Sequence, residues 1–131
     1  MIIFLWNFYH IREKFMDRTE RILYVLQLEN NTYYIGQTKC LKKRVEKHFK
    51  SKGSAWTRMN KPIKLIEYRT FVNMSYQEME LLENILTIKY MKKYSWKNVR
   101  GGFFSECDSS SIRKKLIKHS KDLPKEIIDS I

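Results

Sequence analysis

Two cysteines, Cys40 and Cys107, are all that the 131 residues contain. They are too few and too far apart for a zinc site or a disulfide framework. They read as free thiols of a reducing compartment, which places the protein inside a cell, in cytoplasm or nucleus. No Gly-rich phosphate loop occurs. No group of two or three acids has the spacing of a two-metal site, so metal chemistry would have to work with one carboxylate and one ion. The opening "MIIFLWNFYHIREKF" is too short and interrupted to span a bilayer. It also lacks the basic start and cleavage site of a signal peptide, so no membrane partner is expected. "MDRTERILYVLQL" looks like a natural beginning, so residues 1–17 are expected to be an N-terminal extension or a helix packed on the domain. No repeat, low-complexity tract or linker divides the rest.

What is present is a globular composition, with 43% apolar and 14% aromatic residues, in a chain of one-domain length. The formal charge of +12 is large for this size and points to a polyanionic partner. The charge is also uneven. Lys39 to Arg69 holds eleven Lys or Arg and two acids, net +9, whereas Ser105 to the end nets +1. A solubilising charge would be spread more evenly. The middle of the chain therefore carries a basic surface, for which DNA is the expected partner. Lys43, Lys47, Lys52, Arg58 and Lys61 are its candidate phosphate contacts. Such contacts position a duplex without reading its sequence.

The hydrophobic pattern gives the order of elements. Ile22 to Glu29 and Thr32 to Gln37 read as two strands broken by Asn30-Asn31, a hairpin signal. Leu41, Val45 and Phe49 fall at i, i+4 and i+8 of an amphipathic helix. "SKGSAWTRMNKP" reads as a loop with room for one helical turn, closed by Pro62. Ile63 to Phe71 alternates as a third strand. Ser75, with Glu78 three residues on, caps a longer helix running to about Tyr94. "NVRGGFF" reads as a loop. Residues 105–131 are expected to form a short helical tail, broken at Pro124. The expected fold is α+β: a three-stranded antiparallel sheet flanked by helices, β-β-α-β-α, over residues 18–104. Strand faces left bare by the helices would be available to a ligand.

Several polar groups stand where chemistry could use them. Tyr24 and Tyr34 have the same parity, so they share a face of the hairpin only if its loop has an odd number of residues or a bulge intervenes. Cross-strand aromatic packing explains such a pair equally well. Gly36 inside a strand marks a bulge or a close approach, by a phosphate or the next helix. Arg44 and His48 are i, i+4 on the first helix and stack on one face. Arg44 can fork onto phosphate oxygens, and His48 can bind phosphate or move a proton. The alternative is a solvated face among lysines. Glu83 has apolar Met79, Leu82 and Leu86 around it, which turns it inward, where a carboxylate needs a metal or a basic partner such as Arg44. Asn98 alone says almost nothing.

As a set, these residues resemble the GIY-YIG endonucleases. "ILY" at Ile22 to Tyr24 stands for the first motif, and "YIG" at Tyr34 to Gly36 is an intact second motif. Arg44 and His48 in "KRVEKHF", Glu83 in "LLENILTIKY" and Asn98 in "WKNV" match the family's later positions, over roughly Arg21 to Gly102. Ile22 departs from the first-motif glycine. Gln37 stands where some members have Lys, a place that Lys52 or Arg58 could fill.

The resemblance implies a metal-dependent DNA endonuclease. Glu83 would hold one Mg²⁺ or Mn²⁺, Arg44 would offset phosphorane charge, and a tyrosine would take the proton of the attacking water. Either phenol could be that base; Tyr24 is the expected one, with Tyr34 positioning water or phosphate. His48 would relay a proton or hold phosphate, and Asn98 would brace the site. A monomer is expected, with an accessory protein left open. The competing expectations are a basic nucleic-acid-binding module without chemistry and a structural protein that does not bind DNA.

Overall fold

The β1 strand, Glu20–Leu28, turns through Glu29–Asn31 into β2, Thr32–Thr38. The chain is described here from a computed structural model over residues 19–131, so the expectations for residues 1–17 lie outside the described residues. Asn30 and Asn31 both take positive φ, 64° and 55°, a conformation Asn tolerates better than most side chains. The loop thus has three residues, and Leu28 pairs with Thr32, Leu26 with Tyr34 and Tyr24 with Gly36. Paired residues share a face, so the odd loop puts Tyr24 and Tyr34 on the same side of the sheet.

The first helix, α1, is Leu41–Phe49, and a short α2, Ala55–Met59, follows it. Ser54 caps α2 by accepting from the Thr57 N–H. β3 is Pro62–Val72 and pairs antiparallel with β1. The long helix α3, Tyr76–Tyr94, starts where Ser75 accepts from the Glu78 N–H. β4, Val99–Gly101, is followed by α4, Ser109–Lys118, and α5, Lys125–Asp129, with Pro124 at the N-cap of α5.

Among the described residues the sheet has four strands in the order β3-β1-β2-β4, and β4 runs parallel to β2. This corrects the expected three-stranded antiparallel sheet. "VRG" is too short to show an alternating pattern, and its partner strand is far away in sequence, so nothing local marks it as a strand.

Both faces of the hairpin are covered. Leu23, Val25, Tyr33 and Ile35 pack with Met79 and Met91 of α3 in the larger core. Tyr24, Leu26 and Leu28 pack with Trp56 on the other side, with Tyr34, Leu41 and Val45 against them. Burial on both sides is why β1 reads as a nearly unbroken apolar run. It also means that no bare central face is left for a ligand. Residues 105–131 are helical, and Ile112, Leu116, Leu123 and Ile127 are buried in the larger core. No helix among the described residues is long and apolar enough to cross a membrane.

Candidate active site

The apolar stripe expected on α1 is rotated from its sequence pattern. Phe49 is 48% exposed, whereas His48 is fully buried. The reason lies on both sides of the imidazole. His48 Nε2 is 2.8 Å from Tyr24 Oη, and Nδ1 is 2.9 Å from Thr57 Oγ1. The Thr57 hydroxyl donates to the Ser54 carbonyl at 3.1 Å. A hydroxyl has one proton to give. Donation to that carbonyl leaves Thr57 to accept from His48 Nδ1–H, and in that tautomer Nε2 is a bare lone pair facing the Tyr24 phenol. Burial, then Arg44 and Lys47, pull the imidazole pKa down to about 4, so the ring is neutral at pH 7. A Cβ at Gly53 would stand 2.1 Å from Nδ1, so the loop before α2 is shaped around this ring. Both ring nitrogens of His48 are thus engaged within the protein.

Tyr24 is itself fully buried. It lies across β2 at Gly36, where a Cβ would come within 2.5 Å of Oη and 2.6 Å of Cζ. The close approach that this glycine permits is thus by a phenol, not by a phosphate or the next helix. Tyr34 is half-buried, with its ring centroid 6.2 Å from that of Tyr24. Arg44, also half-buried, lies against both phenols. Burial raises the pKa of each phenol, the negative charge of Glu83 adds to the rise, and Arg44 opposes it.

Glu83 comes from the opposite face, on α3. Its inward turn is as the apolar neighbours predict, with 8% exposure. Its partners are not Arg44 but Gln37 and a backbone amide. Gln37 Nε2 donates to Oε2 at 2.9 Å, and the Gly102 N–H donates to Oε1 at 3.2 Å. Burial raises the carboxyl pKa, and these two hydrogen bonds partly offset the rise. Glu83 and the phenols lie on opposite faces of the sheet, and Gln37 of β2 links the carboxylate to the strand between them. Among the described residues β4 pairs only with Tyr33, Tyr34 and Ile35, so no described strand pairs with β2 on that side from Gly36 to Thr38. The negative charge of Glu83 is felt weakly at both phenols.

The other expected residues lie further out. The Asn98 amide donates to the Tyr94 carbonyl at 2.9 Å, which ties down the end of α3. Lys43, Lys47, Lys52, Arg58 and Lys61 are all exposed. Sequence reasoning missed Thr57 and left Gln37 without a partner. The only signal for Thr57 was the S-x-x-T spacing of a capped turn.

The donors around Glu83 suit a hard cation. Carboxylate and amide oxygens are the ligands such ions take, with water completing the shell. Gln37 Oε1 is buried without a hydrogen-bond partner, so one oxygen donor beside the carboxylate is unspent. Among the described residues no group of three or more His, Cys, Asp or Glu is placed to hold a metal.

Comparison with known proteins identifies the family. The model of the GIY-YIG catalytic domain matches residues 6–96, more than half of the chain. The UPF0213 protein YazA of Bacillus subtilis (strain 168) is 34% identical over 56 residues, 43% of this chain and 57% of that protein. A UPF0213 protein of Pediococcus pentosaceus is 42% identical over 50 residues, 38% of this chain and 53% of its own length. The UPF0213 protein SpyM50708 of Streptococcus pyogenes serotype M5 is 38% identical over 56 residues, 43% of this chain and 61% of that protein. The chain thus spans little more than half the length of the curated relatives it matches, and their names state no activity. No solved structure matches it.

Proposed function

The chain belongs to the GIY-YIG family, and from that membership we propose that it is a nuclease that hydrolyses phosphodiester bonds in DNA with one divalent cation. The observation that carries the reading is the proton outlet behind Tyr24. A neutral phenol can accept a proton only by passing on its own. Here that proton faces the Nε2 lone pair of a neutral imidazole at 2.8 Å.

In the proposed reaction a water oxygen forms a bond to phosphorus as the bond from phosphorus to the leaving oxygen breaks. Tyr24 Oη takes the water proton while its phenolic proton moves to His48 Nε2. The transfer is concerted, so no buried tyrosinate has to form, and general-base help of this kind is worth about 10²–10⁴ in rate. Thr57 holds the ring in the tautomer that can accept. Tyr34, the more exposed phenol, positions the water or the phosphate. Tyr24 Oη is buried against Gly36, so the reaction requires the Gly36–Thr38 edge to adjust on substrate binding, as catalytic contacts in ligand-free enzymes often form fully only on binding.

Arg44 places fixed positive charge beside both phenols and offsets the charge that builds on phosphorus and the leaving oxygen. Mg²⁺ or Mn²⁺ would be held by Glu83, beside the spare oxygen of Gln37, and when bound supplies further positive charge against the phosphate. Asn98 braces the site indirectly, through the end of the helix that carries Glu83. The exposed lysines and Arg58 hold the DNA backbone, with an affinity that falls steeply with salt.

The test is incubation with plasmid, nicked, flap and single-stranded DNA, in Mg²⁺ or in EDTA. Cutting that needs the ion is expected. Salt-sensitive binding with no cutting in any divalent ion would identify a binding module instead.

A further inference from the structure

We propose that Gln37 is a second protein ligand of the divalent cation: its amide holds the Glu83 carboxylate while the ion is absent and turns to place Oε1 on the ion when it binds. This rests on the reading of Glu83 as the cation-holding carboxylate.

Three observations support it. The Gln37 amide already touches the carboxylate, with Nε2 2.9 Å from Oε2. Its other end, Oε1, is buried and unpaired. A buried acceptor without a partner costs about 1–3 kcal/mol, so such groups call for an explanation in a bound ion, a bound water or a catalytic role. Finally, Gln37 is fixed in register opposite Leu23, on the stretch of β2 that β4 leaves open. The donor therefore stands on a rigid element next to the open edge, as a precise site needs.

The chemistry of an amide suits both states. It carries a donor and an acceptor on one planar group, and half a turn exchanges them. Without the ion, an N–H must face the carboxylate, because two oxygens facing each other would repel. With the ion on Glu83 the same position calls for an oxygen. Amide oxygens are normal ligands of hard cations. A neutral second ligand also leaves the ion and one carboxylate with net positive charge to face a phosphate. A second carboxylate would cancel it.

The test is Mn²⁺ titration of the full chain without DNA, followed by calorimetry or by the paramagnetic resonance of the free ion. Water-proton relaxation at saturating Mn²⁺ counts the waters bound to it. In Gln37→Met, binding should weaken about tenfold, the scale on which coordination-sphere residues act, and the ion should gain one bound water. Gln37→Ala gives the same readout should Met disturb the fold, which circular dichroism checks. Unchanged affinity and water count in the Gln37 variants would overturn this inference and leave the Glu83 reading standing. Weaker binding with an unchanged water count would also overturn it, because Gln37 would then only orient Glu83. If wild type and Glu83→Gln take up Mn²⁺ alike, the parent reading falls with it.

Discussion

The phenol of Tyr24 and the imidazole of His48 form a buried hydrogen bond of 2.8 Å, Oη to Nε2, between residues 24 positions apart in the chain. Its direction is set from behind, by Thr57 on Nδ1. That arrangement, together with the Glu83 carboxylate at the sheet edge, leads to the following predictions.

Replacing Thr57 by Val removes the acceptor for Nδ1–H. The ring then loses the bond that fixes its tautomer, and the cleavage rate should fall about 10²-fold, within the range of acid–base contributions. Thr57→Ser should restore most of it. Imidazole ¹⁵N shifts report the tautomer directly. An unchanged spectrum and rate in Thr57→Val would show that Thr57 has no such role.

Gly36→Ala places a methyl where Tyr24 Oη and Cζ now lie, at 2.5 and 2.6 Å. The phenol must move, and overpacking of this kind costs about 1–3 kcal/mol. The variant should melt lower and cut poorly. A Gly36→Ala protein with wild-type stability and rate would mean that Tyr24 is free to shift without consequence.

His48 supplies a pH dependence of stability. Its folded pKa, about 4, lies below the unfolded value of 6.5. The unfolded chain therefore takes up the proton first as pH falls. The stability is fully present above 6.5 and is lost between 6.5 and 4, by about 3 kcal/mol in all. Denaturant unfolding from pH 7 to 4 should show this slope in wild type and a shallower one in His48→Leu. Parallel curves would rule out a buried neutral imidazole.

Glu83 has the opposite sign. Burial raises its folded pKa, so ionisation costs stability above the ordinary carboxylate range. Glu83→Gln should melt above wild type at pH 7 in EDTA, and the gap should close as pH falls below that range. A lower melting temperature at pH 7 would mean that the hydrogen bonds of Gln37 and Gly102 more than offset the burial.

Much of this arrangement was legible in the sequence because it depends on local patterns. The hairpin follows from Asn30-Asn31, the long helix from the Ser75 cap, and the inward turn of Glu83 from its three apolar neighbours. What was not legible depends on contacts between distant segments. Parity alone could not say whether Tyr24 and Tyr34 share a face, because it hinges on whether Glu29 joins the loop. β4 is a strand only because β2 is beside it. Arg100 is fully buried, its guanidinium 4.3 Å from the centre of the Trp56 ring and bonded to the carbonyls of Trp96, Val99 and Glu106. Nothing about an arginine in "NVRGG" predicts that. His48 was read beside Arg44 on one helix face, yet its partners are Tyr24 and Thr57, which only the fold brings to it.

The most direct test compares cleavage of plasmid DNA in Mg²⁺ by wild type and Glu83→Ala, with DNA binding measured in parallel. Removing the carboxylate should slow cutting by about 10³-fold, the rate equivalent of several kcal/mol, while binding at low salt stays within about threefold because the exposed lysines carry it. A Glu83→Ala protein that cuts at the wild-type rate would contradict the account.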